Sequence, residues 1–386
     1  MNIILCSISA LQNPKESARI TIIALAKEMK KLGNNVVIAA SGRRVGMPMR
    51  EIFDDKNIIL YRYSSFFSLP RTIAEIQRTE GWKADIIHGF SATPLFVIPL
   101  FLSKWHTYCA LDIPHAPRIP NTSHLTCIPH VSHTSPAKIF FSLKSYSRSK
   151  LGRRGSSLLW LADVVTVPTL AHAQTWKMKK YRLMYSPLDR EKFLPLDKKA
   201  LKKKYGWENK KVIMHYGAVS KNKGVDVLMN AIPILAKKIP NLKFIFLPRY
   251  KQITPQQELA RRLGVEKLVA FITENVCIEE YVNLADVVVL PYLHLNGTEG
   301  NPSCLLEALA CKTPVVTTKL PELEELFSQC ALMALPDDIP SLVENIELAL
   351  IKNKGYLDRI EKGFQTAKIF DQRSIAQGFL KMYSGG

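Results

Sequence analysis

Residues 285–318 read ADVVVLPYLHLNGTEGNPSCLLEALACKTPVVTT. The apolar run Val287–Leu290 stops at Pro291 and predicts a buried parallel strand; Val315–Thr318 predicts the next one. Between them lies a polar turn over 294–301, with Gly297 and Gly300, and then a short helix over 303–310. Asn301 is expected at the N-cap and Pro302 at the first helical position, where no backbone donor is lost. The N–H groups of Ser303 and Cys304 then have no partner inside the helix and face whatever precedes it. A helix start at the ends of strands favours an anion, phosphate above all. Glu299 and Glu307 bracket that start with seven residues between them. A carboxylate does not bind phosphate, but it accepts hydrogen bonds from hydroxyls. The unit therefore suits a ligand that carries both phosphate and hydroxyls. The alternative is an ordinary crossover in which Glu299 is solvated and Glu307 merely favours helix.

The run EGNPSCLLEALACKTPVV, 299–316, resembles the E-x7-E signature of the retaining GT-B glycosyltransferases of family 4, the glycosyl transferases group 1. That family usually reads EGFG…LLEAMACGTPVV. The resemblance implies an α/β GT-B fold, two Rossmann-like domains with parallel sheets facing a cleft. It implies that Glu299 contacts hydroxyls of the donor sugar and Glu307 those of the nucleotide ribose. The stretch GAVSKNKG, 217–224, resembles the family's GRxxxxKG, whose arginine and lysine hold the donor diphosphate. Gly217 and Lys223 match, whereas Ala218 stands where the arginine would be. Pro248 and Arg249 replace a Gly-rich turn, which makes Arg249 a candidate second cation. The family's base-contacting backbone would fall near Asn275 and Val276.

The first half matches less closely. DIIHGF, 85–90, looks like the family's D-V-V-H-x-H with Phe90 at the second histidine. YCALDIPH, 108–115, falls where the family has a strand ending in His-Asp; Leu111 sits at the histidine, leaving Asp112 and His115 as candidates beside the reacting sugar. The loop over 11–17 lacks the Gly-Gly often found there, and Lys15 is a surface lysine or, in the minority reading, a replacement cation. LMYSPLDREKFLP, 183–195, resembles IPNGVDxxxFxP with Ser186 and Pro187 in place of Asn-Gly, and the tail over 367–383 resembles the closing helix that crosses back. The expected division is an acceptor-binding domain over 1–188, a nucleotide-sugar-binding domain over 189–368 and a returning helix over 369–386.

At 386 residues the chain has room for two such cores. No apolar run reaches the roughly 18 residues of a membrane span, and the start, MNIILCSISAL, reads as a first strand. Seven cysteines without a C-x-x-C spacing point to reduced thiols and a cytoplasmic place. Net charge is +20, of which residues 1–190 contribute +15. Such a field attracts polyanions or anionic lipid headgroups. Residues 136–157 place Ile139, Phe140, Leu143 and Tyr146 at helical spacing among basic residues, which predicts an amphipathic helix, either core-facing or lying on an anionic membrane. The spacing His124-x2-Cys127-x2-His130-x2-His133 is metal-like but lacks the paired C-x2-C of a structural zinc site. The family resemblance implies no metal and no cofactor beyond the nucleotide-sugar substrate.

The resemblance implies a retaining hexosyltransferase that passes sugar to a glycan or lipid-linked acceptor. The departures at Leu111, Ala218 and the first loop leave a second reading open, a GT-B protein that binds nucleotide or a partner without transfer. Charge alone would suit nucleic acid, but no nucleic-acid-binding motif accompanies it, so no such partner is expected.

Overall fold

The structure, a computed structural model, describes residues 1–8, 11, 17–42, 49–53, 58–91, 94–109, 137–143, 156–249, 251–295, 298, 300–351 and 354–385. Lys15, Asp112, His115, Glu299 and the His124–His133 run lie outside these residues.

Two compact units divide the chain. The first comprises Met1–Val167, Trp176–Met184 and Ala376–Gly386, and the second Pro168–Thr175 and Tyr185–Ile375. The first unit is built on strands β1 (Asn2–Ser7), β2 (Asn35–Ser41), β3 (Arg50–Phe53), β4 (Ile58–Tyr63), β5 (Ile86–Ser91), β6 (Lys138–Leu143), β7 (Val164–Val167) and β8 (Arg182–Leu183), in the order β3-β4-β2-β1-β5-β6-β7-β8. Every pair is parallel except β3 with β4. Its first helix, Ser17–Lys31, is followed by Gly33 at φ 81°, the left-handed position that glycine takes without strain.

Two readings of this unit are corrected. Residues 138–143 form β6 and not an amphipathic helix: they pair with β5 on one side and β7 on the other. Ile139, Phe140 and Phe141 are all buried in the sheet, and residues 144–155 lie outside the described residues. A short apolar run fits a buried strand as well as a helix, and its aromatic and β-branched residues favour the strand. Likewise Tyr108 and Cys109 end the helix Val97–Cys109 and belong to no strand. The strand beside β5 is β6, and residues 110–115, which carry the rest of the His-Asp comparison, lie outside the described residues.

His88, on β5, is enclosed. Its Nδ1 lies 2.5 Å from the Tyr383 hydroxyl and its Nε2 2.8 Å from Ser142 Oγ, which in turn lies 2.6 Å from Thr166 Oγ1. This buried polar chain is satisfied internally and ties the C-terminal helix Gln372–Tyr383 to the sheet. His88 is thus a structural residue.

The second unit contains β9 (Lys211–Gly217), β10 (Leu242–Pro248), β11 (Val269–Phe271), β12 (Val287–Leu290), β13 (Val315–Thr318) and β14 (Leu332–Ala334), all parallel, in the order β11-β10-β9-β12-β13-β14. Their apolar runs are buried because helices cover both faces. The helix Val225–Lys238 packs Leu228, Ile232 and Leu235 with Phe244, Phe246 and Val287 of the sheet. The first strand lies between the second and the fourth, so the order reverses between β9 and β12. Open parallel sheets bind ligands outside the carboxyl ends of the strands at such a reversal. The Lys198–Lys204 helix, lysine-rich as a solvent-facing helix would be, still buries Lys202, whose Nζ lies 2.5 Å from Asp286 Oδ2. That carboxylate also accepts the Val212 N–H at 2.8 Å. Burial alone would raise its pKa, but these two hydrogen bonds outweigh burial and hold it below the usual carboxylate range.

Candidate functional site

The loops after β9 and β12 meet at the reversal. Gly217 ends β9 at φ 115°, and the Arg249 N–H donates to its carbonyl at 2.7 Å, which joins the end of β10 to it. Residues Lys221–Lys223 make a single 3-10 turn, and Gly224 follows at φ 66°. A Cβ on Gly224 would stand 1.8 Å from the Pro291 carbonyl oxygen, and the Leu293 N–H donates to the Asn222 carbonyl at 2.9 Å. Glycine is required here twice over, for its φ and for the close backbone approach. Gly224→Ala is expected to cost about 2–4 kcal/mol, the left-handed penalty plus overpacking. A denaturant melt of the variant checks this; an unchanged midpoint would contradict the geometry.

That lock sets Lys223. Its Nζ donates to Thr298 Oγ1 at 2.5 Å and stands 4.8 Å from the centroid of the Tyr292 ring. These contacts and its half-buried position keep Lys223 from being a freely solvated surface lysine.

The helix Ser303–Ala310 begins as the sequence predicts, with one shift: Pro302 and not Asn301 occupies the N-cap. Asn301 is fully buried and its amide is used elsewhere, accepting from the Ser186 N–H and donating to the Ser186 carbonyl, each at 3.4 Å. It therefore braces the signature turn against the Ser186–Pro187 segment. Ser303 and Cys304 remain the first helical residues, with N–H groups that have no carbonyl four residues back in the helix. Cys304 Sγ lies 3.5 Å from where a Gly217 Cβ would be, so the helix start abuts the β9 turn. Burial pushes its thiol up to about 12, which leaves it protonated and inert.

Glu307, one turn further on, is buried. Burial pushes its carboxyl up to about 7; the Tyr216 hydroxyl and the charges of Lys192 and Arg249 pull against that. Tyr216, on β9, donates to the Cys304 carbonyl at 2.6 Å, so its phenol ties the helix start to the strand. The Arg249 charge is felt by Glu307, Cys304 and Tyr292, and its backbone N–H is tied to the Gly217 carbonyl, so the residue stands at this corner. Val276 is half-buried in the loop between β11 and the helix Ile278–Leu284. The structure thus brings Gly217, Lys223, Arg249, Pro302, Ser303, Cys304 and Glu307 to one set of strand ends; Asn301 lies behind the turn.

Sequence reasoning missed Tyr216, Tyr292, Thr298 and His172. Gly300 packs on Pro168, whose Cγ would be 2.8 Å from a Cβ there, and His172 Nδ1 is 3.6 Å from the same point. His172 is fully buried, and burial lowers its pKa to about 4, so it is neutral at pH 7. Its helix, Leu170–Thr175, is capped by Glu325, which accepts the N–H groups of Leu170 and Ala171 at 2.9 and 3.0 Å. No local pattern around 168–172 signals that it will pack under the 299–301 turn.

Residues 210–352 match the family model described as Glycosyl transferases group 1. Over that stretch the chain resembles the group 1 glycosyltransferases. The chain is 26% identical over 204 residues to the GDP-mannose-dependent alpha-(1-6)-phosphatidylinositol monomannoside mannosyltransferase of Mycolicibacterium smegmatis, covering 48% of this chain and 51% of that one. It is 24% identical over 199 residues to the phosphatidylinositol N-acetylglucosaminyltransferase GPI3 subunit of Saccharomyces cerevisiae, covering 50% and 43%. The chain therefore spans about half the length of these curated relatives. Its fold is similar to that of Anabaena HepE, solved in complex with UDP, with a TM-score of 0.75 at 15% identity over 100% of both chains. The fold is GT-B. No helix among the described residues is long and apolar enough to cross a membrane.

Proposed function

We propose that this chain is a group 1 glycosyltransferase that moves a hexosyl group from a nucleotide-diphosphate sugar to an acceptor hydroxyl, with retention of configuration. The observation that carries the proposal is the convergence of Lys223, Arg249 and the Pro302 helix start at the β9–β12 reversal, beside Glu307. Sugar transfer leaves negative charge on the departing diphosphate. A fixed ammonium, a guanidinium and unpaired helix N–H groups stabilise that charge where it develops. No metal or cofactor is needed for that task in this reading. Glu307 takes the ribose hydroxyls, Glu299 the hydroxyls of the sugar, and the backbone near Val276 the base. Arg249 supplies the cation absent at Ala218, which favours an active enzyme over a protein that only binds nucleotide.

The acceptor in this reading is a glycan or lipid-linked hydroxyl. The mycobacterial and yeast relatives carry phosphatidylinositol in their names, and the +15 of residues 1–190 suits an anionic surface. The protein would then work in the cytoplasm at the inner face of a membrane, held by charge and not by the β6 segment.

The test is a thermal-stability titration with UDP-, GDP- and ADP-sugars, with Glu307→Ala as control. One donor is expected to raise the midpoint selectively, and the variant to lose that rise. No response to any donor would sink the enzyme reading.

A further inference from the structure

Thr298 sits one residue before Glu299 and is buried, 7% exposed. Its N–H donates to the Leu295 carbonyl at 2.9 Å, closing a turn, and its hydroxyl oxygen accepts from Lys223 Nζ at 2.5 Å. Tyr292, 2% exposed, offers its ring to the same nitrogen at 4.8 Å. The ring is anchored in turn, because the Tyr292 carbonyl accepts the Thr318 hydroxyl of β13 at 2.6 Å. Thr298 and Tyr292 are both neutral. They orient the ammonium through a hydrogen bond and a ring contact that bring no charge of their own.

Resting on the donor reading above, we propose that Thr298 and Tyr292 are positioning residues that hold the Lys223 ammonium for the diphosphate of a nucleotide-sugar donor. A lysine head on a four-carbon stem is otherwise free to rotate, and fixing it beforehand lowers the cost of binding. The hydroxyl of Thr298 sets the direction of the Nζ; the Tyr292 ring sets its depth. The effect is confined to ligands with a phosphate that reaches Lys223.

The test is calorimetric titration of the full chain with UDP, GDP and ADP and with the matching monophosphates, on wild type, Thr298→Val, Thr298→Ser, Tyr292→Phe and Tyr292→Leu. Valine keeps the shape of threonine and removes only the hydroxyl. Thr298→Val is expected to lose about tenfold in affinity for the diphosphate, the scale of a hydrogen bond to a charged group, and to bind the monophosphate as wild type does. Serine is expected to restore the loss, and Tyr292→Phe to keep what Tyr292→Leu loses. With NDP-sugar as substrate, KM of Thr298→Val should rise more than kcat falls. Equal loss for mono- and diphosphate, no rescue by serine, or no loss at all would overturn the proposal. A wild-type chain that binds no nucleoside diphosphate would overturn the donor reading and this inference together; binding that ignores Thr298→Val would overturn this inference alone.

Discussion

Lys223→Met is expected to lower kcat for sugar transfer by about a hundred- to a thousandfold, the scale on which removing one preorganised charge donor slows group transfer. Methionine keeps the stem that lies over the Tyr292 ring and removes only the ammonium that stands 4.8 Å from it. The site should therefore fold as before, since the Gly224–Pro291 and Asn222–Leu293 contacts use backbone alone. The loss should fall on kcat more than on KM, because the diphosphate gains charge as the sugar bond breaks. Arg249→Met gives the comparison: its charge is shared among Glu307, Cys304 and Tyr292, so its removal should weaken donor binding as well as turnover. Steady-state kinetics with the donor identified by thermal titration separates the two. A Lys223→Met enzyme that turns over within a few-fold of wild type would remove this lysine from the mechanism.

The parts of this site that lie on regular elements were legible in the sequence. The strand Val287–Leu290, the helix Ser303–Ala310 and the strand Val315–Thr318 have the bounds that the apolar runs and the Pro302 signal predict. Lys223 was legible because a glycine of fixed role follows it. The N-cap was misplaced by one residue because propensity favours asparagine there, whereas tertiary contact with Ser186 takes the Asn301 amide away. β6 was misread because the six residues KIFFSL are too few to carry a period that separates strand from buried helix. The antiparallel edge formed by β3 and β4 went unread for the same reason: Arg50–Phe53 is four residues of mixed character. Thr298, Tyr292, Tyr216 and His172 act through space, over separations of 75, 69, 88 and 128 positions from Lys223, Lys223, Cys304 and Gly300. No local spacing encodes such pairs, so only the folded chain shows them.

Glu307→Gln should remove the loss of stability that the second unit suffers as pH rises through 7. In the folded chain burial raises the Glu307 carboxyl to about 7, against the ordinary 4.5. Between those values the folded state holds a proton that the unfolded state has released, so its contribution to stability is complete below pH 4.5 and is lost as pH rises through 7. The loss amounts to about 3 kcal/mol at about 1.4 kcal/mol per pKa unit. Glutamine is neutral at every pH and keeps the shape, so the variant should match wild type near pH 5 and melt several degrees higher at pH 8. Donor should act in the opposite sense. An ionised Glu307 accepts hydrogen bonds from ribose hydroxyls, which compensates the buried charge, so wild type should bind NDP-sugar more tightly as pH climbs through 7. The diphosphate of an NDP-sugar has no proton to lose in that range, which leaves Glu307 as the titrating group of interest. In Glu307→Gln both the pH dependence and most of the donor-induced rise in melting temperature should vanish. A variant that is no more stable than wild type at pH 8, yet still responds to donor, would mean that Glu307 is an ordinary core carboxyl and that the ribose is held elsewhere.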